Sequence, residues 1–283
     1  MVVAARRISQ AVLGALLVGA AAASLATAGA GSVGRVTATD GPWRAVFSYT
    51  KTGDGPQSYS RLHLTVAKST ALILDVPVSS RLRGTAYLQP GGYGSEKTIS
   101  FRDLDGNGVP ELLLVLFTGG AHCCFIEQVY DLSAARPKRA EISFADAGSK
   151  IVLVRGRPLF QSADESFAYV FTDYADSGAP IQLWSYAHGQ FKDVTRTVPA
   201  LVAKDAAFWW KLARGRLKAH GDERGILSAW AADKALLGES AAAKRTLLRL
   251  AAGGALDGGS GAPKGSAYVR KLWAFLRAEH YVR

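Results

Sequence analysis

The chain has 283 residues, 48% hydrophobic and 20% charged, with a formal net charge of +11. That balance excludes a disordered chain, and no run of about twenty apolar residues follows the N-terminus, so no internal membrane span is expected. The length suits one large or two modest domains.

Residues 1–28 read as a signal peptide. Arg6 and Arg7 precede an apolar stretch from Ala11 to Ala23, and Ala26-Thr27-Ala28 fits the small-x-small cleavage rule, with Ala28-Gly29-Ala30 as a second option. A retained anchor is the alternative. The expected location is secreted or cell surface. The positive charge is spread: its densest stretches are Arg136–Arg139 and Lys211–Lys218. No nucleic-acid partner is expected, and an exported cation of this size meets anionic envelope polymer or lipid first.

Alternation then predicts strands at Trp43–Thr50, Leu62–Val66 and Thr70–Val76, with Tyr87–Tyr93 as turn material broken by Pro90-Gly91-Gly92. Lys97–Phe101 enters a hairpin and Leu112–Phe117 leaves it. The latter is a continuous apolar run of the kind that forms a buried strand.

The hairpin turn carries the strongest chemical signal. Asp103, Asp105 and Asn107 fall at alternate positions, Gly108 follows, and Glu111 comes three residues later. Oxygen ligands at positions 1, 3 and 5, a glycine at 6 and a backbone carbonyl at 7 are how a tight loop surrounds a hard cation. Here Val109 offers the carbonyl and Glu111, at position 9, the closing carboxylate. The helix–loop–helix calcium motif wants glutamate at position 12, where this chain has Leu114, so the expected arrangement is a strand–loop–strand calcium hairpin. The alternative is an acidic, glycine-rich turn without metal, in which three crowded carboxylates lack a counter-charge.

At these residues the chain resembles the FG-GAP or VCBS repeat of secreted bacterial proteins and integrin-type propellers. Asp103-Leu104-Asp105-Gly106-Asn107-Gly108-Val109-Pro110-Glu111-Leu112 matches its D-x-D-G-[DN]-G-x-x-[DE]-L pattern, with Glu111 where the family usually has aspartate. The resemblance covers one hairpin. It implies bound Ca2+, blade-like β structure, and protein or polysaccharide ligands in the cell envelope.

After the hairpin, Gly119-Gly120-Ala121-His122-Cys123-Cys124 holds both cysteines of the chain. In an exported protein they are expected to be oxidised. A vicinal disulfide, two separate buried thiols, and a redox or metal role are the three readings. The GGAHCC run also resembles a recurring feature of secreted bacterial proteins, which implies a structural role. A Cys–His pair can make a nucleophile, so an extracellular hydrolase or thiol-redox enzyme centred on His122, Cys123 and Cys124 is the alternative to a binding module. His63, His188, His220 and His280 are scattered.

Further strands are predicted at Phe125–Tyr130, Glu141–Phe144, Lys150–Val154, Arg157–Phe160, Ala168–Thr172, Ile181–Tyr186 and Gln190–Val194. Phe101–Pro110 aligns with Phe171–Pro180 at a constant offset, but Ala175 and Ile181 replace Asp105 and Glu111. The second copy is therefore expected to keep a turn without a cation. From Pro199 the pattern turns helical: Leu201–Arg214, Glu223–Leu237 with Gly238 as its stop, a helix from Ser240 to Leu250, and Tyr268, Leu272, Phe275 and Leu276 on one helical face. Residues 253–266 have linker composition. The expected fold is α+β by domain: a β region over 33–195, a blade-like meander or partial propeller, then a helical bundle over 199–283.

Overall fold

The computed structural model describes residues 31–82, 86–91, 97–218, 222–258 and 263–282. The predicted leader, Gly92, Tyr93 and His220 lie outside them. Gly31–Arg283 is one compact unit.

Three antiparallel sheets follow one another along the chain. The first is the meander β1 (Ser32–Asp40), β2 (Trp43–Lys51), β3 (Tyr59–Lys68) and β4 (Ala71–Pro77). The second has β7 (Glu111–Gly120), β8 (Cys123–Asp131) and β9 (Lys138–Ser143), with β5 (Gln89–Pro90) and β6 (Ile99–Arg102) both pairing with β7. The third is the meander β10 (Lys150–Val154), β11 (Arg157–Ala163), β12 (Ile181–Ala187) and β13 (Gln190–Asp193). Among the described residues no closed propeller forms.

The sheets stack face to face because β7 is apolar on both faces. Successive side chains of a strand point to opposite sides. Leu112, Leu114 and Leu116 pack with Phe47, Leu64 and Val66 of the first sheet. Leu113, with Val129 of β8, packs on Phe160 and Tyr186 of the third. The third sheet does the same one layer on: Trp184 and Tyr186 face the second sheet, while Ile181 and Leu183 meet Val202 in a helical layer.

That layer is α1 (Pro199–Lys218), α2 (Arg224–Leu236), α3 (Ser240–Ala252) and α4 (Gly265–Ala278). Its core takes Trp230, Leu247, Tyr268, Leu272 and Leu276, with Trp209 and Trp210 half-buried against it. Ser240 is the first helical residue of α3, with Glu239 at its cap. Within 253–266, Leu256 is buried and its carbonyl accepts the Gly265 N–H; 259–262 lie outside the described residues.

Three strand expectations need correction. Within the expected turn Tyr87–Tyr93, Gln89–Pro90 pairs with Leu116 and Phe117 of β7. Ser32–Asp40 forms a strand that apolar alternation does not announce, because its inward positions are the small or half-buried Gly34, Val36 and Ala38. Ala168–Thr172 is not a strand. Phe167 and Phe171 leave the sheet region and enter the helical core, where both meet Phe275 edge to face at 4.9 and 5.5 Å and Phe171 meets Tyr268 at 5.6 Å.

The helical layer is fastened to the third sheet by a buried carboxyl pair. Asp205 of α1 accepts the Ile181 N–H at 3.2 Å and the Trp209 indole N–H at 2.8 Å. Asp233 of α2 is fully buried beside it with no donor aimed at its oxygens. Burial first, then the Asp205 charge, pushes Asp233 up to about 10, so it holds a proton at neutral pH. A group raised in the folded state contributes stability that is full below its unfolded pKa and lost as pH rises through the folded value. This pair therefore makes stability fall between about pH 4 and pH 10. Asp233→Asn stays neutral without the proton cost. Urea denaturation at several pH values should show it more stable at neutral pH, on the order of 1–3 kcal/mol, and flatter toward alkaline pH. Asp233→Ala, which empties a fully buried site beside Asp205, should be destabilised at every pH.

Candidate functional site

The loop between β6 and β7 is built by its own side chains. Asp103 accepts the Gly106 N–H through Oδ1 at 2.8 Å and the Gly108 N–H through Oδ2 at 3.0 Å. Asp105 Oδ1 accepts the Asn107 N–H at 3.1 Å, and Asn107 Oδ1 accepts the Val109 N–H at 2.7 Å. These short-range bonds are what Asp and Asn supply in tight turns. Gly108 has φ +82°, a left-handed backbone that costs an L side chain strain and glycine nothing.

Glu111 closes the loop from the start of β7. Its Oε2 accepts the Leu104 N–H at 2.7 Å, which ties the loop back onto the strand. Its Oε1 is buried without a hydrogen-bond partner. One ligand oxygen each from Asp103, Asp105 and Glu111 lie within 4.8 Å of one another. The structure thus gathers three of the five predicted ligands. Asn107 and Val109 sit on the same loop, with Asn107 bonding the Val109 N–H and Val109 packed on the core between the first two sheets. A buried carboxylate with one unpartnered oxygen, clustered with two further carboxylates, could hold a hard cation.

Sequence reasoning missed two neighbours of this cluster. Asp131, at the end of β8, is buried and accepts the Ser133 N–H and hydroxyl at 2.9 and 2.6 Å. Tyr186, from β12, is buried and its hydroxyl has no hydrogen-bond partner. Burial raises the pKa of Tyr186, and the charges of Asp131, Glu111 and Asp105 raise it further. Both residues reach the cluster from strands far along the chain, so no local spacing signals them.

Burial, opposed by the Leu104 N–H and aided by Asp105, pushes Glu111 up to about 7. In metal-free protein this carboxyl therefore contributes stability that is full below about pH 4.5 and lost as pH rises through about 7. A cation takes the place of that proton. Any metal-induced rise in melting temperature should accordingly be larger at about pH 8 than at about pH 5.5. Glu111→Gln should lose the metal response, and without metal it should be more stable than the parent at about pH 8, because no buried charge remains.

The second predicted centre follows β7. Cys123 and Cys124 form a vicinal disulfide across a cis peptide bond. The Cys124 N–H donates to Thr118 Oγ1 at 2.7 Å. Gly119, with φ +79°, lies against Pro56, where a Cβ would stand 1.7 Å from the proline Cγ. In a disulfide neither sulfur is a thiolate, so a Cys–His pair has no nucleophile in this state. The ring contacts of exposed His122 are with tyrosines of the loop before β12: Tyr174 at 3.8 Å and Tyr169 at 6.1 Å. The Tyr174 hydroxyl donates to Asp146. Purified unreduced protein should give no thiol alkylation, and a digest peptide carrying both cysteines should be lighter by two hydrogens than after reduction. Rapid alkylation at one site, lost in His122→Ala, would restore the thiol-enzyme reading.

No family profile matches the chain, and no solved structure matches it. The chain is 26% identical over 174 residues to a probable thylakoid lumen protein of Synechocystis, an alignment covering 53% of this chain and 47% of that protein. It thus spans about half the length of that curated relative.

Proposed function

We propose that this protein is an extracytoplasmic binding module whose fold is completed by a calcium ion in the Asp103–Glu111 loop. The observation that carries the reading is buried Glu111, whose Oε1 has no partner, clustered with Asp103 and Asp105. Asp103, Asp105 and Glu111 supply charge, while Asn107 Oδ1 and the Val109 carbonyl are the neutral oxygens of the loop. The ion's part is to neutralise the buried carboxylates and so hold β6 against β7. Extracytoplasmic location is supported by the leader-like N-terminus and by the likeness to a lumen protein. The FG-GAP-like loop supports reading the three sheets as blades of an open propeller.

Millimolar calcium added to metal-stripped protein should raise its melting temperature, since a ligand that binds only the native state stabilises it. Asp103→Ala should abolish the shift. Asp173→Ala, at the aligned position of the second copy, should leave it intact. An unchanged melting curve in the parent protein would sink the calcium reading.

A further inference from the structure

One edge strand of each sheet has a property the acidic loop does not use. β1, β6 and β10 are edge strands of their sheets, and all three line one groove of about 670 Å³. Free strand edges are usually blunted or covered. Here they converge on an open recess within the size range of small-ligand sites.

The chemistry of the recess is asymmetric. Lys97 and Arg102, just before and at the end of β6, and Lys150, at the start of β10, are exposed on its lining. None of the three makes an ion pair among the described residues, although the Lys150 charge acts on Asp205. Of the two acids on the lining, Glu127 is buried and accepts the Ser149 hydroxyl, which leaves Asp40 as the exposed one. Thr37 and Thr39, alternate residues on the outward face of β1, add hydroxyls that bond nothing within the described structure. Unpaired cations from two sheets and free hydroxyls from the third surround a space that suits a ligand bearing both carboxylates and hydroxyls.

We propose that this groove binds an acidic oligosaccharide, one whose sugar rings carry carboxylates. The cations would take the carboxylates and the β1 threonines the ring hydroxyls. The inference deepens the binding-module reading and rests on it for location, but no residue of the groove belongs to the cation loop.

Trigalacturonate titrated into the mature protein by calorimetry at low salt should bind, while maltotriose, its neutral counterpart, should not. Lys97→Ala, Arg102→Ala and Lys150→Ala should each weaken binding about tenfold, the size of one charge-assisted hydrogen bond. Their melting temperatures should match the parent, since all three side chains are exposed. Arg245→Ala, an exposed cation on α3 outside the groove, should change nothing. Thr37→Val with Thr39→Val should weaken trigalacturonate but not tripolyphosphate, a polyanion without hydroxyls. Failure of trigalacturonate to bind would overturn the proposal. Equal loss in Arg245→Ala, or indifference to the threonine pair, would reduce the groove to general positive charge and overturn it too. Binding in protein whose melting ignores calcium would keep the groove and discard the cation loop. Calcium-dependent melting without binding would discard the groove alone.

Discussion

A strand buried on both faces needs two partners, and β7 obtains them by placing a sheet on each side. Every residue from Glu111 to Leu116 is buried. Near-continuous apolar runs of this kind are found where a strand has no solvent face. Covering it with the first sheet exposes the other side of the second, which the third then covers, and the helices finish the third. Each layer inherits the problem left by the one before, because the second and third sheets have an apolar set on both sides of the pleat. The stack ends at α1, where Lys204 and Lys211 are exposed.

The buried position of Glu111 follows from the same constraint. It is the first residue of β7, so its side chain enters the layer that Leu113 and Val115 share. A carboxylate there carries a desolvation cost that one N–H from Leu104 offsets only in part. Two outcomes relieve it: a proton or a cation. Asp103 and Asp105 disfavour neither outcome alone, but both strengthen the case for a divalent ion over a proton, since a proton on Glu111 leaves their mutual repulsion in place. The loop's hydrogen bonds already hold Asp103 and Asp105 in position, so a cation meets a largely preformed site.

What the sequence made legible was local. The loop's ligands lie within nine positions, and side chains so close are brought together by turn chemistry alone. The apolar run after it was equally plain. The neighbours Asp131 and Tyr186 come from other strands: the register of β8 on β7 brings Asp131 near, and the stacked third sheet brings Tyr186. β1 escaped notice because a strand that packs with Gly34, Val36 and Ala38 needs little apolar bulk. The segment 168–172 misled for the opposite reason. Phe171 there, like Phe167 just before it, reads as strand core, yet both aromatics serve the helices. The groove cations were invisible as a group, since Lys97, Arg102 and Lys150 are far from a run in the sequence and meet only through the sheet edges.

The two aligned segments show how one local frame serves two ends. Asp103 accepts the N–H of Gly106, and Asp173 accepts the N–H of Asp176, the same step along the chain. Pro110 and Pro180 each precede the first residue of a strand, Glu111 of β7 and Ile181 of β12. The strands differ in place: β7 follows the edge strand of its sheet, whereas β12 is third in its own. At the position where Glu111 turns a carboxylate toward the acidic loop, Ile181 turns a side chain toward Val202 of α1, and its N–H is taken by Asp205. The turn alone does not make a cation site. A site needs the buried carboxylate at the strand start, and where that residue is isoleucine the same strand start becomes the dock for a helix.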